Sequence, residues 1–335
     1  MHKRKTAMIR IALAAFLLVC SAIPATTEAQ RSQLLFVSNE ASKSISVIDT
    51  RTNSVIRTIG LGHRARGISV SPDGRKVYVA LSDDVPMKET EGDRIAVVDV
   101  ASGNVLARYS SGSDPEQFGV TPDGRRLYSS NEDAGTASAT DLRTGKVIAT
   151  MIVGIEPEGV AVSPDGRWVY VTAETSNSVS VIDTRTNKVV SSFLVDIRPR
   201  AAAFSRDGRR AYVSAEVGGS ITVVDATRHQ AIGSISLESG EGKPVGIVVS
   251  RNGSWLYAAN GRTSTVSVVD LTKGTVAATI PVGKRPWGIT LSADEKYLYT
   301  ANGLSNDVSV IDVASRKVVD TIKVGMRPWG VAASK

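Results

Sequence analysis

Charged and aromatic residues recur in pairs at seven places in this sequence, and each pair flanks a single residue. Arginines and carboxylates can bind ions, pair with one another or move protons, and tryptophan adds a large apolar surface. Two pairs are acidic, and each of the other five contains a basic residue. In an extended chain, residues two apart point the same way, so both members of a pair are expected to face one site. The pairs are Arg64/Arg66, Asp114/Glu116, Glu156/Glu158, Arg198/Arg200, Lys243/Val245, Arg285/Trp287 and Arg327/Trp329.

The elements that position these pairs follow from a repeat of about 42 residues. The motif SVIDT and its variants end in seven aspartates, spaced 50, 42, 42, 42, 45 and 42 residues apart. The longer spacings reflect an insertion at 82–93 and extra residues in 237–244. Each aspartate is expected to accept hydrogen bonds from the turn that follows it, a structural role. They are Asp49, Asp99, Asp141, Asp183, Asp225, Asp270 and Asp312.

One repeat contains four short strand signals and no helical periodicity. In the unit that begins at residue 159 they are GVAV (159–162), RWVYVTA (167–173), SVSVID (178–183) and KVVSSFLV (188–195), with turn signals such as SPDG between them. This pattern predicts an all-β fold, a seven-bladed β-propeller of four-stranded antiparallel blades. Segment 34–39 matches a second strand and 329–334 a first strand. We therefore predict that the C-terminal strand joins the N-terminal blade and closes the ring.

The N-terminal residues have the order of a secretory signal peptide. A basic start precedes the apolar stretch Ile11 to Cys20, and Thr27-Glu28-Ala29 offers a cleavage site before Gln30. The predicted domains are a removed signal peptide, 1–29, and a periplasmic or secreted propeller, 30–335. That mature chain would contain no cysteine and 36 basic against 32 acidic residues, an excess too mild to favour nucleic acid. No other segment is expected to insert stably in a membrane.

In a propeller, the loop before each innermost strand and the loop between the second and third strands share one face. We call them the first and second mouth loops. The first contain the seven pairs, and the second add Glu40, Glu132, Asp133, Glu174, Glu216, Asn260 and Asn302. This face is the predicted site for a protein or a small anionic or dipolar ligand, unless its Arg and Glu residues simply pair and its tryptophans pack between blades. The candidate residues are Arg64, Arg66, Glu116, Glu156, Glu158, Arg198, Arg200, Arg285, Trp287, Arg327 and Trp329.

Residue types for catalysis are sparse. The propeller region has two histidines: His63 at the predicted mouth and His229 in a hairpin turn, where it is expected to be solvated. It has no histidine pair at metal-ligand spacing and no nucleophile elbow, and the acidic 82–93 insertion lacks EF-hand spacing. Glu156 with Glu158 could form an acid/base pair, although an ion-paired structural role is the alternative. We expect no catalytic residue, no metal and no cofactor.

The stretch VYVTAETSNSVSVIDTRTNKVV resembles the YVTN-repeat β-propellers, a bacterial group related in architecture to WD40 proteins. The resemblance covers nearly all of residues 34–335. DPEQFGVTPDG, GIEPEGVAVSPDG, ANGLSNDVSVIDV and VGMRPWGVA are more specific, and resemble the propeller proteins associated with pyrroloquinoline quinone (PQQ)-dependent alcohol catabolism. The resemblance implies a periplasmic accessory role. It does not imply that the chain binds the quinone, because the tryptophan-docking repeats of quinoprotein dehydrogenases are missing.

The leading prediction is therefore an exported, non-catalytic binding propeller, a monomer that acts beside a PQQ-dependent alcohol oxidation system. A periplasmic quinoprotein dehydrogenase or its electron acceptor is the candidate protein partner. One alternative is a lactonase-type hydrolase working in the propeller funnel with His63 and the glutamates. A second is non-specific nucleic-acid binding through Arg and Trp, which the acidic loops disfavour.

Overall fold

A computed structural model describes residues 33–83, 85, 88–237 and 240–334 of the chain. The predicted signal peptide, 1–29, lies outside the described residues. The described chain forms seven sheets, each of four antiparallel strands, and the innermost strands of successive sheets lie side by side around a central channel. The prediction of a seven-bladed propeller is thus confirmed. Across these described ranges, no helix is long and apolar enough to cross a membrane.

Each blade supplies one strand to each of four positions, counted outward from the channel. The innermost strands are β4 (Arg64–Val70), β8 (Pro115–Val120), β12 (Pro157–Val162), β16 (Pro199–Phe204), β20 (Pro244–Val249), β24 (Pro286–Leu291) and β28 (Pro328–Ala333). The second strands are β1 (Leu34–Asn39), β5 (Lys76–Ser82), β9 (Arg126–Asn131), β13 (Trp168–Ala173), β17 (Arg210–Ala215), β21 (Trp255–Asn260) and β25 (Tyr297–Asn302). The third strands are β2 (Ser44–Asp49), β6 (Arg94–Asp99), β10 (Thr136–Asp141), β14 (Ser178–Asp183), β18 (Ser220–Asp225), β22 (Thr265–Asp270) and β26 (Asp307–Asp312). The outermost strands are β3 (Ser54–Gly60), β7 (Val105–Ser110), β11 (Lys146–Ile152), β15 (Lys188–Leu194), β19 (Gln230–Ser236), β23 (Thr275–Pro281) and β27 (Lys317–Lys323).

The two ends of the propeller meet in one blade, as predicted. Strand β28 pairs antiparallel with β1, with Leu35 opposite Ala333 and Val37 opposite Val331. We call this sheet (β28, β1, β2, β3) blade 1. Blades 2 to 7 then follow in chain order, from β4–β7 to β24–β27. Because β28 has no sequence neighbour in its own blade, the chain closes the ring through side-by-side pairing of its two ends.

The core lies between neighbouring blades. Strand β13 shows why alternation suits this arrangement: Val169 and Val171 pack on blade 3, whereas Tyr170 between them packs on blade 5. Successive side chains of a strand point to opposite faces, and both faces of a blade are covered, so polar alternation is not needed. Residues of the second and third strands are therefore buried almost without interruption.

The repeated aspartates hold turns, as predicted. A carboxylate oxygen of Asp183 accepts the backbone N–H of Arg185 at 2.9 Å, and one of Asp141 accepts that of Thr144 at 2.8 Å. The other five make equivalent bonds to their own turns. The lowered pKa of Asp141 follows mainly from its hydrogen bonds to Thr144.

Candidate functional site

Seven side chains reach the mouth of the channel from one equivalent position in each innermost strand. A β-bulge lies at that position: Pro157 pairs with Ala173 and Val160 with Val171, so the inner strand has one extra residue at 158–159. The same register shift occurs in all seven blades. A bulge changes the direction of a side chain, and here it directs one residue per blade into the mouth. In ring order from blade 2 these residues are Arg66, Glu116, Glu158, Arg200, Val245, Trp287 and Trp329.

Glycine after the bulge residue allows neighbouring mouth residues to approach. A Cβ on Gly159 would lie 2.3 Å from the carbonyl oxygen of Arg200, and one on Gly288 would lie 2.7 Å from that of Trp329. Both contacts are too short for any side chain, so only glycine fits between these strands. The first glycine brings blades 4 and 5 together at the Glu158–Arg200 pair. The second does the same for the two tryptophans.

Hydroxyl groups of the second strands fix the backbone of some mouth residues but not of others. Ser38 donates to the carbonyl of Arg66 at 2.5 Å, and Ser130 to that of Glu158 at 2.6 Å. Thr172 donates to the carbonyl of Arg200 at 3.2 Å. The equivalent residues that would face Trp287 and Trp329 are alanines, Ala259 and Ala301. The bond does not follow the charge of the mouth residue, because Ala80 is the equivalent residue facing Glu116, and Ser214 donates to the carbonyl of Val245 at 2.6 Å.

The first mouth loops are not extended, so the alternation argument fails there, although both members of three pairs, Arg198/Arg200, Arg285/Trp287 and Arg327/Trp329, still line one cavity. Six of the seven first members adopt a left-handed backbone conformation, including Glu156 (φ 55°), Arg198 (φ 62°) and Arg285 (φ 55°). Each of these residues precedes a proline that begins the innermost strand. The backbone turns sharply there, so strand alternation does not set the relative direction of the two side chains of a pair.

A cavity of about 290 Å³ lies at the mouth, and nine of the eleven candidate residues line it. They are Arg66, Glu116, Glu158, Arg198, Arg200, Arg285, Trp287, Arg327 and Trp329. The second mouth loops add Glu40, Glu132, Glu174 and, in blade 7, Gly303 and Leu304. Two parts of the lining differ in chemistry. The paired half contains Arg66, Glu116, Glu158, Arg198 and Arg200 with Glu40, Glu132 and Glu174, and Glu216 adjoins it through Arg198 and Arg200. The Arg/Trp half contains Arg285, Trp287, Arg327 and Trp329 with Gly303.

Arg200 is the centre of the first ion network in the paired half. Its side chain is 8% exposed and pairs with Glu158, with Glu174 at 2.6 Å and with Glu216 at 2.7 Å. Arg198 adds a second guanidinium, 2.6 Å from Glu174. The predicted alternative, in which Arg and Glu pair across the mouth, therefore describes this half of the cavity.

Arg66 is the centre of a second network. It pairs with Glu116 and lies 3.4 Å from Glu132 and 3.5 Å from Glu40. The carboxylates of Asp114, Glu116 and Glu132 lie within 4.8 Å of one another, a spacing that could hold a metal ion. The guanidinium of Arg66 already lies among them, 3.8 Å from Asp114, and supplies the positive charge that such a group requires.

Two carboxyl groups of the paired half hold their protons unusually tightly. Burial raises the pKa of Glu132 to about 7; Arg66 opposes the shift, and Asp114 and Glu174 add to it. Burial likewise raises the pKa of Glu158, against the field of Arg200. Glu40 differs, because Arg64, Arg66 and Arg327 outweigh its burial and lower its pKa. The paired half can therefore change its charge near neutral pH.

The arginines of the Arg/Trp half are less closely paired, although the charge of Arg327 helps to lower the pKa of Glu40. Within the described part of the chain, no carboxylate oxygen lies within 4.0 Å of the guanidinium of Arg285 or of Arg327. Arg285 instead lies over the ring of Trp287, 5.0 Å from its centroid, and Trp287 contacts Trp329 at 6.0 Å between ring centroids. Trp329 is 9% exposed, so its ring packs as well as lines the cavity. The second mouth loops of blades 6 and 7 have Gly261 and Gly303 where blades 3 to 5 have glutamates.

The other predicted residues lie away from the cavity. Arg64 donates to Glu40 at 2.6 Å, and Glu156 accepts a hydrogen bond from Thr175. Glu156 and Glu158 therefore do not face each other as an acid/base pair. Asn260 and Asn302 are fully buried at strand ends, where they donate to the third strand of their own blades.

The two histidines are both held by neighbours. His63 Nδ1 lies 2.7 Å from Asp83 at the base of the 82–93 insertion, outside the cavity lining. His229 is not simply solvated as predicted: its Nδ1 lies 2.8 Å from the hydroxyl of Tyr170, and its ring contacts Trp168. Burial lowers the pKa of His229, which disfavours its charged form.

Comparison with known proteins supports the propeller fold, but the two matching family profiles describe proteins of different functions. The family profile "Lactonase, 7-bladed beta-propeller" matches residues 196–323, and "Cytochrome D1 heme domain" matches residues 85–197. No curated protein sequence matches the chain.

Several solved structures share the architecture. Hydrazine synthase of Kuenenia stuttgartiensis is 22% identical with a TM-score of 0.75, over 84% of this chain and 93% of that one. A putative 6-phosphogluconolactonase from Bacteroides uniformis is 18% identical with a TM-score of 0.74, over 90% and 99%. A dihydro-heme d1 dehydrogenase is 16% identical with a TM-score of 0.68, over 91% and 76%. At these identities the likeness extends to the fold alone.

Proposed function

We propose that the protein binds a small anionic organic ligand in the Arg/Trp half of its mouth, without catalysis, as an exported accessory of a PQQ-dependent alcohol oxidation system. One observation carries the binding proposal: Arg285 and Arg327 line a cavity beside two tryptophans and have no carboxylate partner among the described side chains. The accessory role and the periplasmic location rest on the sequence resemblance and on the predicted signal peptide.

The geometry of the Arg/Trp half favours a ligand with one anionic group and a flat or apolar body. A guanidinium binds a carboxylate through parallel N–H donors, and an indole face supplies apolar contact area. Leu304, which is 57% exposed, adds an apolar wall. The cavity of about 290 Å³ lies at the lower end of the range for small-molecule sites.

The paired half sets the orientation of such a ligand. At a pH above the pKa of Glu132, about 7, where that group has lost its proton, the ionised carboxylates of the paired half outnumber its arginines, and this half then repels a second anionic group. The end of the ligand that faces the paired half must therefore be neutral or cationic. The same carboxylates disfavour nucleic acid, whose phosphates would have to pass them.

A direct binding test uses benzoate, a flat aromatic monocarboxylate, and its neutral methyl ester. We expect benzoate to change the tryptophan fluorescence in a saturable manner, and the ester to bind much more weakly. Arg285→Gln with Arg327→Gln should reduce the affinity at least tenfold, because a hydrogen bond to a charged group contributes about 1.5–3 kcal/mol. The matched control is Arg143→Gln with Arg228→Gln, which removes the same charge from the opposite face. Equal binding of acid and ester, or equal loss in both double variants, would refute the proposal.

The accessory role needs a separate test. Purified protein is added to a purified PQQ-dependent alcohol dehydrogenase with its electron acceptor, and turnover and complex formation are measured. A stable complex or a change in turnover that the Trp287→Ala variant abolishes supports the role. No complex and no effect on turnover would remove it and leave the ligand site standing. Intact mass of periplasmic protein tests the export step, since a chain beginning at Gln30 is expected.

A lactonase-type hydrolase remains the second candidate, and one observation favours it. Glu132 lines the cavity with a pKa of about 7, the range in which a carboxylate acts well as a general base. The match of residues 196–323 to the lactonase profile points the same way. Hydrolysis of a panel of lactones, lost in Glu132→Gln and following a pKa near 7, would establish this activity over the binding role. An inactive wild-type protein would exclude it.

A further inference from the structure

Charge is segregated between the two faces of blades 3 to 5. We call the face opposite the mouth, formed by the turns between first and second and between third and fourth strands, the turn face. Across residues 111–236 the mouth-face loops, together with the two strand residues on either side of each, contain nine carboxylates and two arginines. Counted in the same way, the turn face of these blades contains six carboxylates and eleven lysines and arginines. The small net charge of the chain conceals this difference.

The turn-face carboxylates are directed at the backbone. Asp165 accepts the backbone N–H of Arg167 at 3.0 Å, and Asp207 that of Arg209 at the same distance. An aspartate that closes a tight turn holds its carboxylate against the chain, while the arginine side chain of that turn extends into solvent. The side chain of Arg125, for instance, is 84% exposed.

Several of these arginines have no acidic partner. In the described ranges, no carboxylate oxygen lies within 4.0 Å of the guanidinium of Arg143, Arg209 or Arg228, and all three are exposed. Blades 3, 4 and 5 each present one arginine from each of their two turns. These are Arg125 and Arg143, Arg167 and Arg185, and Arg209 and Arg228.

The turn face of blades 3 to 5 is also flat. The third strands of blades 3 to 5 follow one another at 42-residue intervals without insertion, so no turn projects above its neighbours. The aromatic ring of Trp168 on this face is covered by Arg167, at 4.5 Å from the ring centroid, and by His229. Nucleic-acid bases would therefore find no open ring for stacking, whereas a flat layer of arginines matches a flat anionic surface.

We propose that the turn face of blades 3 to 5 docks on a membrane surface rich in anionic phospholipids, without insertion, and leaves the mouth open to the surrounding solution. Each arginine that reaches the headgroups strengthens binding, and the attraction extends over about one Debye length. The acidic mouth face of the same blades is repelled by that surface, so the orientation is fixed by charge alone. The proposal is independent of what the mouth binds.

Sedimentation with vesicles tests the proposal. The full mature chain is mixed with phosphatidylcholine vesicles containing roughly one third phosphatidylglycerol, and with pure phosphatidylcholine vesicles, at low salt. We expect binding to the anionic vesicles alone, and loss of binding at high salt. Arg143→Gln with Arg209→Gln and Arg228→Gln should weaken binding about 100-fold, since one arginine near the surface contributes about fivefold.

The matched control removes the same charge from the mouth face through Lys43→Gln, Lys243→Gln and Lys284→Gln, which lie outside the proposed ligand site. It should bind the anionic vesicles within about threefold of the unaltered protein. Equal weakening of both triple variants would show that net charge, and not the turn face, governs binding. Absence of binding to the anionic vesicles, or tighter binding to duplex DNA than to the vesicles at the same salt, would overturn the proposal.

Discussion

The paired half and the Arg/Trp half of the mouth are built on the same backbone. The arginines of the paired half form ion pairs with glutamates, whereas Arg285 contacts a tryptophan ring. Both halves use the bulge of the innermost strand and a glycine after it, at Gly159 in one half and Gly288 in the other. They differ in the second mouth loops, which supply glutamates in blades 1 and 3 to 5 and glycines in blades 6 and 7. The lesson is that an arginine at a propeller mouth becomes available to a ligand where the neighbouring loop withholds its carboxylate, as at Arg285, or where that carboxylate pairs elsewhere, as Glu40 beside Arg327 does with Arg64.

The same difference separates structural from functional roles. Arg200 is buried, fixed through the hydroxyl of Thr172 and surrounded by three glutamates. Removing one member of such a network leaves uncompensated buried charge, so these residues stabilise the ring as it stands. Arg285 is exposed and contacts a ring, and little in the fold depends on its charge.

The largest expected effect is on stability in the paired half. Arg200→Gln should lower the free energy of unfolding by about 3–5 kcal/mol, because Glu158, Glu174 and Glu216 lose their shared partner. Arg285→Gln should change it by less than about 0.5 kcal/mol, as expected for an exposed site. Urea denaturation of both variants measures the contrast. Similar small losses in the two would show that the paired half is solvated and not a buried network.

A smaller contrast is expected within the Arg/Trp half. Trp329 is 9% exposed, whereas Trp287 is only partly buried, so Trp329→Ala should destabilise the protein by about 3 kcal/mol and Trp287→Ala by clearly less. Thermal unfolding of the single variants gives the ranking. The reverse order would mean that Trp287 is the packing residue and Trp329 the accessible one.

The smallest expected effect concerns pH. In the folded state Glu132 has a pKa of about 7, raised from 4.5, so it keeps its proton where the unfolded chain has lost it. The unfolded state binds fewer protons in this window, and stability therefore falls as the pH rises from about 4.5 to about 7. Glu132→Gln should remove this part of the pH dependence, which the shift limits to about 3 kcal/mol and which solvent screening of the partly exposed carboxyl reduces to about 1 kcal/mol. Parallel stability curves for the two proteins across that window would contradict the raised pKa.

The fold was predictable because its signals are local and repeated. Seven copies of SVIDT fix the strand count, and the match of 34–39 and 329–334 to different strands of one unit identifies the closing blade. Predicted strand bounds agree within a residue or two, as for 178–183, which is β14. The turn role of the repeated aspartates was predictable for the same reason.

The candidate residues were largely predictable, but their arrangement was not. The alternation rule fails at Glu156 because a left-handed residue before Pro157 turns the chain, and a bulge then directs Glu158 inward. Nothing in the composition of the second mouth loops marked Gly303 as important, since its contribution is the absence of a side chain. Asn302 drew attention in its place, and it is a buried strand-end residue.

The central claim is that the arginines of the paired half are held in ion pairs, whereas Arg285 and Arg327 are available to a ligand. Nuclear magnetic resonance of arginine side chains tests this claim most directly. The Nε–Hε signals of the labelled protein are followed while benzoate is added. The account predicts saturable shifts for Arg285 and Arg327 with one shared affinity, an unchanged signal for Arg66, and a smaller shift for Arg200, whose guanidinium lies 5.5 Å from the centroid of the Trp287 ring. Shifts at Arg66 and Arg200 without shifts at Arg285 and Arg327 would show that the paired half is the open one, and would contradict the account.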